Sequence, residues 1–572
     1  MTSQKDVIKS LPIHLQPFVA TQDYSQYTSR DHAIWRFILH QLKFSLKDVA
    51  HQTYFEGLEK TGIGLEEIPR IEDINACLNE LGWQAVAVDG FLPPAVFMEF
   101  QAIKVLAIAL NIRSFEHMLY TPAPDIIHES AGHAPFLVDI DYAEFLQRFG
   151  LLGMRAIANQ HDMDVYEAVR QLSIIKESAA STEQQIKEAQ GQVETLQNTK
   201  VAPSEANLLA RLHWWTVEYG LVGEVDDYTI FGAGLLSSLS ESQTCLDDAK
   251  VVKLPLTLNA VNTAYDITAQ QPQLFVTESC RHLSQVLEEY GRHMCCQRGG
   301  TSALQEACEA GSITTTTLNS GVQISGKIGR VITDPVGNTI YFNCEGSTQL
   351  AYQNTELAGH GIDYHAAGFG SPIGQLRAME DCLSNYTIDE LKRHQVDIGK
   401  ITTLNFLSGV KVVGELTKIL RRDQRNILFS FKNCTVTDAD GNILFDPSWG
   451  VYDMAIGNTV VSVAGGSADP RTFPLYESPS EQVTIQQEHD ESCRELLTWY
   501  SKLREHRDLG KDATELVQAI IEMKEVDWLL KFEALELSNA TELLAQLNEI
   551  AASGSSDVST LIESGLKRLG YS

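Results

Sequence analysis

The hydrophobic pattern of this chain changes period once, at Gly299-Gly300, and that change limits what the chain can fold into. Before it, residues 31–42, 71–81, 95–110, 142–159, 204–219 and 272–290 carry apolar side chains three and four apart, the spacing of amphipathic helices. After it come short alternating segments punctuated by Asp334-Pro335, Gly337-Asn338 and Asp440-Gly441, pairs that mark turns between strands. Helical spacing returns over 492–507, 513–534 and 540–551, behind Ser478-Pro-Ser-Glu481, a helix-start signal. The predicted fold class is therefore multidomain: a mainly α domain over 1–300, a β-rich domain over 301–478 and a helical C-terminal region over 479–572. At 572 residues the chain is long for one core, which agrees. The C-terminal helices suit either homo-oligomer formation or packing on another domain.

Two features subdivide these regions. Residues 162–199 are rich in Gln, Glu, Lys and Ala with sparse apolar points, and read as a helical hairpin inserted into the α domain. In the β-rich domain, Ser320-Gly-Val-Gln-Ile-Ser-Gly326 recurs as Ser408-Gly-Val-Lys-Val-Val-Gly414, and each copy leads to an Asn-Cys pair, Asn343-Cys344 and Asn433-Cys434. That is an internal duplication, expected as two small barrels or one two-part sandwich; two copies are too few for a solenoid.

Charge and cysteine usage exclude several partners. A net charge of −31, from 75 acidic and 44 basic residues, would be repelled by nucleic acid or an anionic membrane surface, so neither is expected as a partner. No stretch has the apolar run of a signal peptide or spanning helix, and a cytoplasmic location is the expectation. The 10 cysteines include no Cys-x-x-Cys pair and read as reduced core thiols.

The chemistry is concentrated in His128-Glu-Ser-Ala-Gly-His133, since imidazole is the commonest protein ligand for iron, zinc and copper. On an α-helix, residues five apart lie about 140° apart, so a regular helix cannot aim both rings at one ion. Either the helix starts or breaks between them, which Gly132 permits, or His128 ends one element and His133 begins the next. The candidate third ligand is Glu218 in Arg211-Leu-His-Trp-Trp-Thr-Val-Glu218, a carboxylate among apolar residues that needs a cation, either a shared metal or an arginine such as Arg211 or Arg113. Trp214, four residues earlier, is expected on the same helical face. Two histidines and a carboxylate suit an iron(II) site with open positions. A zinc hydrolase can use the same ligands, although its helical His-Glu-x-x-His is shorter by one residue. His360 and His365 repeat the five-residue spacing in a Gly-rich loop, with no evident carboxylate partner.

These residues belong to a series of blocks that resembles the pterin-dependent aromatic amino acid hydroxylases over about residues 24–300. The blocks are Gly90-Phe91-Leu92 followed by Phe97; Arg113; Tyr120-Thr121-Pro-Ala-Pro-Asp125; His128-Glu129-Ser-Ala-Gly-His133; Trp214-Trp-Thr-Val-Glu218; and Gly232-Ala-Gly-Leu-Leu-Ser237-Ser238 with Glu241. The resemblance implies that His128, His133 and Glu218 hold a non-haem Fe(II). It implies a tetrahydropterin as co-substrate with O2, either tetrahydrobiopterin or a bacterial-type pterin, and an aromatic amino acid as the small-molecule substrate. L-Phenylalanine, converted to L-tyrosine, is the first expectation, with tryptophan and tyrosine as alternatives. By the same resemblance Arg113, Thr121, Trp214, Ser237 and Ser238 face the substrate, Asp125 orients neighbouring groups, and Phe91, Leu92, Phe97, Glu129 and His213 face the pterin. His213 stands where the family usually has a tyrosine, Ala123 replaces an acidic residue, and the 162–199 insertion lengthens the span between His133 and Glu218. No regulatory amino-terminal domain of the animal type is expected, and the resemblance does not extend past about residue 300.

Overall fold

The computed structural model describes residues 3–90, 92–119, 125–177, 181–266, 270–476, 491–523 and 526–571. The helix-start signal at Ser478-Pro-Ser-Glu481 lies outside these residues. Helices fill most of the first 300 positions, and among the described residues none is long and apolar enough to cross a membrane. The Ser29–Ser45 helix opens on a capping box in which Thr28 and Asp31 satisfy each other's backbone N–H groups, and it buries Ile34, Trp35, Phe37, Ile38 and Leu42. The insertion is a pair of helices, Gln160–Glu177 and Glu183–Gln197.

Two segments expected as single helices each contain a strand. The 95–110 stretch is a helix, Pro94–Ala102, then the strand Val105–Ala109, which pairs in parallel with Gln84–Val88. The 272–290 stretch is the strand Gln273–Thr277 followed by the helix Cys280–Gly291, and that strand lies between Leu221–Glu224 and Val252–Pro255. Short apolar runs buried on both faces lack alternation, so their residues look the same in a core helix and in a parallel strand. The helix expected over 142–159 ends at Gly153, as Ile140–Gly153.

The β-rich region forms two antiparallel sheets. One runs in the order Thr355–Glu356, Thr339–Tyr352, Val322–Thr333, Ile313–Leu318, Val460–Gly465, with Gly368–Pro372 also on Thr339–Tyr352. The other runs Ile401–Asn405, Lys411–Arg422, Arg425–Thr437, Ile443–Phe445, with Tyr452–Ala455 on Arg425–Thr437. Ile427, Leu428 and Ala455 of the second sheet share a core with Ile324, Phe342 and Leu350 of the first. In both sheets the second Gly of the Ser-Gly-Val segment packs on a cysteine: a Cβ on Gly326 would stand 2.9 Å from Cys344 Cβ, and one on Gly414 3.0 Å from Cys434 Cβ.

The C-terminal helices Glu491–Leu509, Thr514–Glu522, Trp528–Ser538, Thr541–Ser553 and Ser556–Arg568 share one core with the first 300 residues. The 513–534 stretch expected as one helix is two, separated before Asp527, which caps the second. Phe37 packs edge-on against Trp528 and Phe532, at 5.1 and 5.0 Å between ring centroids. A charged net crosses the same junction: Arg36 pairs with Glu66 at 2.6 Å and Glu533 at 3.0 Å and also touches Glu536, while Arg507 reaches Glu533 and Arg568 reaches Glu536.

Candidate metal centre

His128 and His133 lie on a π-helix, Ile127–His133, whose i→i+5 hydrogen bonding stacks residues five apart on one face. That resolves the spacing: the segment neither breaks nor starts between the histidines. Glu218 ends a second π-helical turn, Trp214–Glu218, in which the Tyr219 N–H donates to the Trp214 carbonyl at 2.9 Å. The same geometry corrects the expected placement of Trp214. Its ring stacks on Tyr219, five residues on, at 4.6 Å, rather than flanking Glu218 four residues on.

Gly232-Ala233-Gly234 separates the two π-helical turns. A Cβ on Gly132 would lie 2.9 Å from the Ala233 carbonyl oxygen, and one on Gly232 would lie 2.4 Å from that of Glu218. Only hydrogen at these positions lets the ligand-bearing turns approach.

The three side chains converge. His128 Nε2 lies 3.0 Å from His133 Nε2 and 3.2 Å from Glu218 Oε2, and His133 Nε2 lies 3.4 Å from Glu218 Oε1. Adjacent ligands around an octahedral ion with bonds of about 2.1 Å are separated by about 3 Å. The tautomer of His128 is set by its neighbour. Ser237 Oγ–H donates to the Ala233 carbonyl at 2.8 Å, so at 3.0 Å it accepts from His128 Nδ1–H and leaves the Nε2 lone pair bare towards Glu218. Burial works against ionisation of Glu218, but when His133 and His128 are protonated their charges hold its carboxyl well below the ordinary range. Two imidazole nitrogens and a carboxylate at one point are a donor set for a divalent transition metal, so the residues present fit iron(II).

Arg113 is buried and pairs side-on with Asp125, Nε to Oδ2 at 2.8 Å and Nη2 to Oδ1 at 2.9 Å, while its Nη1 donates to the Ser237 carbonyl at 3.2 Å. Burial opposes the Asp125 charge, yet Arg113 and the backbone N–H groups of His128 and Arg113 bring its pKa below the usual value. Each terminal nitrogen of Arg113 keeps one N–H outside these bonds, the pair that a ligand carboxylate takes bidentately. Ser238 is also buried, but its hydroxyl accepts the Glu241 N–H at 3.2 Å, which stabilises the next turn.

Trp214 is sandwiched between Tyr219 and Tyr265, the latter at 4.4 Å and 10°. Tyr265 has no sequence signal, because it reaches the site from an irregular segment 51 positions after Trp214. Next to the triad, the His213 ring meets Phe97 edge-on at 6.0 Å, and its Nδ1 is 3.8 Å from Glu218 Oε1. Burial lowers the His213 pKa to about 4, and burial with the charges of Glu218 and Asp125 raises that of Glu129 to about 8. Among the described residues, His213 Nε2 and Glu129 Oε2 are buried without a hydrogen-bond partner, two polar atoms able to meet a heterocycle's N–H and acceptor groups. Leu92 and Phe97 are half-buried and pack on one small apolar cluster. Phe91 and Thr121 lie outside the described residues.

The model of the biopterin-dependent aromatic amino acid hydroxylase family matches residues 20–175 and 189–298. A phenylalanine-4-hydroxylase of Pseudomonas aeruginosa is 30% identical over 268 residues, covering 46% of this chain and 85% of that protein. One from Chromobacterium violaceum is 28% identical over 285 residues, covering 50% of this chain and 80% of its own. A crystal structure of the Chromobacterium violaceum phenylalanine hydroxylase, with bound iron(III) and oxidised 7,8-dihydrobiopterin, is 27% identical, with a TM-score of 0.38; the likeness covers 51% of this chain and 91% of that one.

Proposed function

Because the chain belongs to the biopterin-dependent aromatic amino acid hydroxylases, we propose that its preferred reaction is the conversion of L-phenylalanine to L-tyrosine with O2 and a tetrahydropterin. The observation that carries the reading is the convergence of His128 Nε2, His133 Nε2 and the Glu218 carboxylate at separations of 3.0 to 3.4 Å. Iron(II) held by these three, with the pterin beside it, would supply dioxygen activation. The chain's own groups do the rest. Ser237 keeps the proton of His128 on Nδ1 and frees Nε2 as a ligand. Arg113, locked by Asp125, offers its two remaining N–H groups to the amino acid carboxylate. Trp214, with both faces stacked on tyrosines, keeps only its indole edge for the substrate ring. Phe97, Leu92, His213 and Glu129 line the side assigned to the pterin.

The test is a pterin-dependent assay on the purified chain with phenylalanine, tryptophan and tyrosine in parallel, alongside iron analysis. Fastest turnover of phenylalanine at one iron per chain supports the reading; faster turnover of tryptophan or tyrosine overturns the substrate. Unchanged iron content in both His128→Ala and Glu218→Ala overturns the ligands.

We also read the β-rich region as two copies of one three-stranded unit. The matching Ser-Gly-Val segments and the shared glycine-on-cysteine contact support this.

A further inference from the structure

The β-rich region holds a second convergence of ligand side chains, and it supplies the carboxylate that the sequence around His360 and His365 lacks. His360 Nδ1 is 3.3 Å from His365 Nε2 and 3.9 Å from Asp453 Oδ2, and all three ligand atoms lie within 4.8 Å of one another. The residues are 4%, 7% and 5% exposed. Each is positioned by backbone. The carbonyls of His360 and His365 accept the N–H groups of Leu350 and Thr348, which pins their loop to the Thr339–Tyr352 strand. Asp453 lies on Tyr452–Ala455, in register with Ser430 of the neighbouring strand.

Asp453 has no cationic lysine or arginine against it among the described residues. Asp453 Oδ1 accepts the Ser430 hydroxyl at 2.5 Å, but Oδ2 is buried with no well-aligned hydrogen-bond partner among the described residues. His360, at 3.9 Å, is too far to donate to this carboxylate. The Tyr364 hydroxyl also faces Asp453 but brings no charge, and a buried carboxylate without a counter-charge is costly. A hydrogen bond between the two imidazoles would satisfy the histidines and leave Oδ2 as it is.

We propose that His360, His365 and Asp453 form a second metal site, taking a zinc-class divalent cation and tying the two sheets of the β-rich region together. The 3.3 Å between the two imidazole nitrogens suits a tetrahedral ion, whose ligands at bonds of about 2.0–2.1 Å stand about 3.3 Å apart, more than at the iron site. Three protein ligands leave one position for water. Ser430 orients the carboxylate as an outer partner. His360 and His365 hang from the first sheet and Asp453 from the second, so the ion would cross-link them.

The experiment uses the full chain, stripped with a chelator and titrated with Co2+ under reducing conditions. Wild type is expected to bind two equivalents, one giving the intense visible absorption of tetrahedral Co2+. D453N and the double variant H360Q/H365Q should lose that equivalent and its band while keeping the other, and E218A should do the reverse. Zn2+ should displace the band and raise the melting temperature of wild type by more than that of D453N, which keeps only the His128, His133 and Glu218 site. Saturation of wild type at one equivalent, or both equivalents retained in D453N, overturns the site. The wild-type stoichiometry decides even if the variants fail to fold.

Discussion

Ser237 shows how one hydroxyl determines what an active-site histidine can do. Without its oxygen, His128 could carry its proton on either nitrogen, and the tautomer protonated at Nε2 cannot bind a metal there. Ser237→Ala is therefore expected to weaken iron binding by roughly 10- to 100-fold with little change in folding, read by iron competition with a chelator. Arg113 makes a separate point about geometry. Lysine keeps the charge but cannot hold Asp125 side-on and a ligand carboxylate end-on at once. Arg113→Lys should lower kcat/KM for the amino acid by about 2 kcal/mol, roughly 30-fold, mostly through KM. Unchanged KM would show that the substrate carboxylate binds elsewhere.

Among the elements, what was legible in the sequence and what was not have distinct physical causes. The Ser29–Ser45 helix, with its capping box and regular apolar face, was visible. So were the histidine pair and its carboxylate, because buried charge needs a partner. The means of bringing the histidines together was not. A π-helical turn has no period of its own in so short a segment, and it shows only in which side chains end up stacked. The strand Val105–Ala109 was hidden for another reason, being apolar on both faces. Asp453 was hidden by distance: it meets His360 across two sheets, 93 positions away. The Gly232-Ala233-Gly234 spacer gives this scale its prediction. A methyl on Gly232 meets the Glu218 carbonyl at 2.4 Å. Gly232→Ala should cost about 1–3 kcal/mol and reduce iron content, seen as a lower melting temperature and substoichiometric metal; normal values for both would mean that the turns can separate freely.

For the whole molecule, the decisive fact is that the C-terminal helices complete the core of the catalytic part. Trp528→Ala should therefore destabilise the catalytic fold by about 3–5 kcal/mol in denaturant unfolding monitored by activity. The charged net at the same junction sets an acid limit. The Glu66 carboxyl is lowered to about 2 by the His40 hydrogen bond and Arg36, and that of Glu536 is lowered by Arg36 and Arg568 against burial. Folded pKa values below the unfolded ones give stability that is full above about pH 4.3 and lost as pH falls towards 2. Wild type should lose stability over that window, and Arg36→Met should show a shallower pH dependence; identical profiles would rule out the net as its source. The shared core also has a consequence for synthesis. Phe37 and Trp528 are 491 positions apart, which at about 5–20 residues per second separates their exit from the ribosome by roughly half a minute or more. Through that interval the nascent catalytic part exposes an apolar helix face whose cover has not been translated, so a chaperone that shields it during elongation should raise the yield of active chain.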